Sequence, residues 1–175
     1  MSIKEDVVET YVQHGMVKWV LRLLDKSKRS EIHIFSLDFS SALLANILNS
    51  PTTYEYLDRN PTETKDIMVQ LLTLLKENIP TSVLMHILIC LSYLSKERFS
   101  QAIEETNFVD KISDFVEYYS QLNVTDADGS EIDKKTVLDL CAHMFHPKDQ
   151  SNDVSQTMEY NELKQEERIK EFENA

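Results

Sequence analysis

Glycine is nearly missing from this sequence: Gly15 and Gly129 are the only two in 175 residues, and proline occurs four times. β-Sandwiches and doubly wound sheets depend on many tight turns, and glycine supplies the left-handed conformations such turns use. A chain so poor in turn residues is expected to be all-α. The same scarcity leaves no glycine-rich loop to cradle a phosphate. None of G-x-S-x-G, H-E-x-x-H, G-x-x-x-x-G-K-[ST] or G-x-G-x-x-G occurs either. No enzymatic activity and no cofactor are expected. Cysteine is scarce too: Cys90 and Cys141 lie inside apolar runs and read as small core residues of a reducing compartment. The most apolar run, VLMHILICLSYL, is about half of what spans a bilayer. The first nine residues carry charges of both signs and no apolar signal stretch. The expectation is a cytoplasmic protein with no membrane insertion.

Positive charge is also in short supply. Lys and Arg number 18 against 30 Asp and Glu, for a formal charge of −12. Such a chain is repelled by nucleic acid, so no nucleic-acid partner is expected. The basic residues cluster once. Lys18, Arg22 and Lys26 fall at i, i+4 and i+8 of one expected helix, with Lys28 and Arg29 just beyond. This basic stripe is either a solvated face or a docking face for an acidic partner.

What is present is helical periodicity. GMVKWVLRLLDKS (15–27) puts Val17, Val20, Leu21 and Leu24 on one face, with Trp19 and Leu23 widening it toward the core. SLDFSSALLANILNS (36–50) follows and stops at Ser50-Pro51. DIMVQLLTLLKEN (66–78) repeats the pattern, with Thr62 or Thr64 as a cap after Pro61. The run 83–94 is apolar all round, which implies a helix sandwiched between neighbours. A short helix is expected around Phe99, Ala102 and Ile103. A longer one turns Val109, Ile112, Phe115 and Val116 inward, and a last one covers 133–145 before Pro147.

Overlaid, these segments repeat. Met16-Val17-x-x-Val20-Leu21-x-Leu23-Leu24 matches Ile67-Met68-x-x-Leu71-Leu72-x-Leu74-Leu75 and Phe108-Val109-x-x-Ile112-x-x-Phe115-Val116, at offsets of 51 and 41 residues. Each is followed by a second apolar helix: Leu43-Leu44-Ala45-Asn46-Ile47, Cys90-Leu91-Ser92-Tyr93-Leu94 and, more weakly, Leu140-Cys141-Ala142-His143-Met144. About three units of this length suit a helical repeat stack. Residues 1–148 are therefore expected to form the repeat domain, and 149–175 an acidic, partly helical or disordered tail.

Two clusters invite a metal reading and do not support it. DADGSEIDKK (126–135) offers an EF-hand-like run. With Asp126 first, Gly129 falls at position 4 rather than 6; with the glycine at 6, position 1 is Val124 and position 12 is Lys135. CAHMFH (141–146) places His143 and His146 on one face and Cys141 on another, short of the four ligands of structural zinc.

GMVKWVLRLL followed by SALLANIL resembles an armadillo repeat, in which a helix reading G-x-x-x-x-L-x-x-L-L precedes one reading A-L-x-N-L. The resemblance implies a short right-handed α-solenoid of armadillo or HEAT type. It also places Asn46 on the concave face, able to hydrogen-bond an extended ligand backbone. Tyr93 and His143 stand at the equivalent positions of the later units, and Asn107 stands where the glycine would be. Over roughly 11–119 the chain resembles the C-terminal armadillo-like region of the LisH-domain ciliary armadillo family associated with Joubert syndrome. The residues that carry this are Gly15, Trp19, Leu37, Phe39, Ser40, Ala42, Leu43, Leu44 and Asn46. It implies a non-catalytic scaffold of the cilium, basal body or ciliary tip that works with microtubule-associated partners of the TOG-array type. A direct tubulin contact would be expected only through the basic stripe. No LisH helix pair or coiled coil precedes the motifs, so the chain is expected to be a short relative or a C-terminal piece. The alternative expectation is a cytosolic armadillo-type adaptor for peptides.

Overall fold

The computed structural model describes residues 5–122 and 134–145, all of the regular structure there being helical. The described residues all fall in one compact unit of the chain. The expected acidic tail, the calcium-like run up to residue 133 and His146 lie outside the described residues.

Among the described residues ten α-helices follow in order: α1 Glu5–Gln13, α2 Met16–Leu24, α3 Lys26–Arg29, α4 Ile34–Leu48, α5 Pro51–Arg59, α6 Pro61–Leu74, α7 Thr81–Leu94, α8 Ser100–Glu105, α9 Phe108–Gln121 and α10 Lys134–His143. A 3-10 turn, Glu97–Phe99, leads into α8. Setting aside the four-residue α3, the helices form three successive triplets: α1, α2, α4; then α5, α6, α7; then α8, α9, α10. Like helices pack on like. α4 packs on α7 and α7 on α10, while α2 packs on α6 and α6 on α9. α1 packs on α5. Within each triplet, the first two helices meet and the second packs on the third.

Local chemistry explains the corners. Gly15, between α1 and α2, has φ +73°, and Asn107, between α8 and α9, has φ +51°. These are equivalent positions in the first and third triplets. Both need the left-handed conformation that glycine adopts freely and asparagine tolerates best among other residues. The middle triplet turns differently: Asn60 is at φ −128° and Pro61 opens α6. Proline at a first helical position has no N–H to leave unsatisfied. Two buried threonines then join consecutive helices. Thr53 Oγ1 donates to Ile47 O at 2.6 Å, and Thr64 Oγ1 donates to Leu57 O at 2.8 Å. Thr64 is thus not the N-cap of α6 expected from sequence. It satisfies a carbonyl at the end of the helix before, one of the orphan acceptors every helix end leaves.

The core is the seam of α4 and α7 with α2 and α6 behind it. Leu44, Ile47, Leu48, Met68, Leu71, Leu88 and Leu91 are fully buried. α7 is buried continuously from Ile87 to Leu94, as an apolar circumference requires. Cys90 and Cys141 are both buried in this packing. Three expectations fail. Trp19 is 52% exposed and does not widen the core face of α2, and Val109 is 49% exposed and does not turn inward. The helix expected over 15–27 ends at Leu24, because Asp25 turns extended and its carboxylate caps α3 by accepting from the Ser27 amide.

Candidate protein-interaction face

The surface of α4 carries the most apolar exposed side chains of the described residues. His33 caps the helix, its ring nitrogen accepting from the Phe35 amide at 3.3 Å, and its ring packs beside that of Phe35 at 5.2 Å between centroids. From there Phe35, Phe39, Ala42 and Asn46 run at spacings of four, three and four, which is one face of a helix. Phe35 is 77% and Phe39 71% exposed, while Leu37, Leu44 and Ile47 on the opposite side are buried.

Asn46 is exposed, as a groove residue has to be. Its Nδ2 donates back to Ala42 O at 2.9 Å, which fixes the amide, and no donor among the described residues meets its oxygen. His143 is exposed at the end of α10. Tyr93, expected between them, is 3% exposed and belongs to the core. α7 is enclosed by α4, α6 and α10, and Lys96 Nζ lies 5.9 Å from the Tyr93 ring. Burial accordingly pushes the Tyr93 hydroxyl up to about 12. The expected line of three is therefore interrupted at its centre, with α7 standing between Asn46 and His143.

The basic stripe is shorter than its spacing implied. Lys18 and Arg22 are exposed on α2, but Lys26 begins α3 beyond the break at Asp25 and does not continue their row. Lys18 already meets Glu63 of α6 at 3.3 Å, with the lysine 57% exposed. Arg29 is engaged more firmly: its guanidinium donates to Glu77 at 2.7 Å and to Leu24 O at 3.2 Å.

A polar contact that periodicity gave no reason to single out joins α4 to α7. His86 Nδ1 lies 2.9 Å from Ser41 Oγ, and that hydroxyl donates to Asp38 O at 2.9 Å. His86 Nδ1 and Ser41 Oγ thus share one hydrogen bond between α7 and α4. Asp38 Oδ1 stands 3.8 Å from Nδ1, and it is buried with no hydrogen-bond partner among the described residues. Burial holds the His86 pKa below its ordinary value, and the nearby Asp38 carboxylate opposes this only in part. The available signal was a lone histidine in the otherwise apolar VLMHILICL.

Burial raises both thiols, Cys141 to about 12 and Cys90 further, so neither is an ionised nucleophile at neutral pH. Among the described residues no three His, Cys, Asp or Glu side chains gather as a metal site. None of the described helices is long and apolar enough to cross a membrane. No protein-family model, curated protein or solved structure matches this chain.

Proposed function

We propose that this chain is a non-catalytic scaffold, a short right-handed armadillo-type solenoid of about three repeats that binds other proteins through the exposed face of α4. The observation that carries this reading is the pair Phe35 and Phe39, 77% and 71% exposed on a helix whose other side is core. Folding gains nothing from phenyl rings left in water, whereas aromatic anchors grouped on a rigid element are what a docking partner buries. Asn46, two turns further along the same face, is placed to hydrogen-bond a partner's backbone. The three-helix triplets and the left-handed corners at Gly15 and Asn107 support the armadillo assignment.

The cilium, basal body or ciliary tip is the proposed location, with microtubule-associated proteins of the TOG-array type as partners. Its support is the resemblance carried by Gly15 through Asn46. Leu37, Ser40 and Leu44 of that set are buried, and any helical stack needs such residues. Trp19, Phe39 and Asn46 are exposed, so packing does not account for them and use of the surface does.

The test is affinity purification of the tagged full chain from ciliated cells, with a photo-crosslinking side chain at position 42 of the same face, in the wild-type and the variant background. Basal-body or tip proteins crosslinked at that position, and lost in Phe35→Ser/Phe39→Ser, are expected. Partners that survive the double substitution would refute α4 as the docking face. Recovery of soluble cytosolic adaptors alone would refute the ciliary assignment.

A further inference from the structure

A groove of about 340 Å³ opens between α6 and α9, away from the aromatic row on α4. Its floor is Leu72, Leu75 and Phe115, and Tyr118, 59% exposed, forms one wall. Lys76 enters from the end of α6 and Lys111 from α9, with Asp114 the one acidic side chain on the lining. Neither lysine forms an ion pair among the described residues, unlike Lys18 and Lys65, which meet Glu63 and Glu105. The groove thus carries one net positive charge on a chain of −12. Its volume falls in the range that accepts a bulky apolar side chain with its neighbours.

We propose that this groove is a second docking site, for a short acidic segment of another protein that inserts an aromatic or leucine anchor. The anchor would rest on Leu72, Leu75 and Phe115 against the Tyr118 ring, and carboxylates beside it would pair with Lys76 and Lys111. Charge complementarity selects this occupant. A basic segment would leave two lysines facing like charge, and a wholly apolar one would desolvate them without partners. The negative charge elsewhere on the chain does not override the local lysines, because at physiological salt it is screened beyond about 8 Å.

The site is independent of the α4 face and is tested separately. The purified full chain is panned against a phage library of random short peptides, and the selected peptides are resynthesised with a fluorophore for anisotropy titration. Enriched peptides should combine an aromatic or leucine anchor with acidic neighbours. Their affinity should fall about tenfold or more in Tyr118→Ala and in Lys76→Glu/Lys111→Glu, as truncation of an anchor contact or reversal of its charges implies. It should also weaken with added salt and be unchanged in Phe35→Ser/Phe39→Ser. Circular dichroism of each variant confirms that it is folded, and these positions are chosen at the surface for that reason. Failure to enrich any peptide, enrichment of basic ones, or binding indifferent to both groove variants would overturn the proposal. Loss of binding in the α4 variant alone would assign the peptides to the other face and overturn it equally.

Discussion

Gly15 and Asn107 solve the same steric problem with different residues. At Gly15 a Cβ would find nothing within 4 Å, so Gly15→Ala would suffer only the backbone cost of φ +73°. That cost is about 1–2 kcal/mol for a residue with a side chain. Asn107→Gly should be nearly neutral, within about 0.5 kcal/mol, because relief at φ +51° is offset by the greater unfolded-state freedom of glycine. Urea denaturation of the two variants checks the asymmetry. Equal losses at both positions would show that the corners are not equivalent. His86 supplies the pH dependence. Its folded pKa lies below the ordinary 6.5, so below that pH the unfolded chain binds a proton that the folded chain does not. The contribution of the neutral ring is complete above 6.5 and is lost as the pH falls below it. Between pH about 7.5 and about 5.5 the wild type should therefore lose more stability than His86→Gln, since a histidine titrates in this range. Parallel curves for the two proteins would contradict the half-buried neutral imidazole.

Among the elements, α4 has two sides whose substitutions separate folding from binding. Leu44→Ala removes a fully buried side chain and should cost about 2–5 kcal/mol in denaturant titration. Phe35→Ser and Phe39→Ser should each change stability by no more than about 0.5 kcal/mol, because both rings are already in water. A large loss at Phe39 would mean that the ring packs in solution. The elements also show what the sequence conveyed. α7 was legible because an apolar circumference has one physical outcome, and α4 because its leucines keep a 3.6-residue period around Asn46. α1 and α5 were missed. EDVVETYVQ and PTTYEYLDR are short and polar, and α5 buries only Thr53, Tyr54 and Leu57. Their stability comes from docking on neighbouring helices, which local pattern does not record. Trp19 and Val109 were misplaced for a related reason: apolar identity does not fix which side of a helix the neighbours cover. Tyr93 failed in the opposite direction, because α7 is enclosed by α4, α6 and α10, which spacing along the chain does not record.

At the scale of the whole molecule, a net charge of −12 opposes direct binding to microtubules, whose tubulin tails are acidic. In co-sedimentation with bare microtubules the full chain should remain in the supernatant at physiological salt. Any binding at low salt should vanish in Lys18→Glu/Arg22→Glu, and salt-resistant pelleting would contradict an indirect link. The stacking of like helices leaves the α4 aromatics outside it, on a face that folding does not use. The measurement that tests this most directly is the localisation of the tagged full chain in ciliated cells, wild type beside Phe35→Ser/Phe39→Ser/Asn46→Ala. Wild type concentrated at the basal body or ciliary tip, with the equally abundant triple variant diffuse in the cytosol, is the predicted result. A diffuse wild type, or a variant that localises as the wild type does, would contradict it.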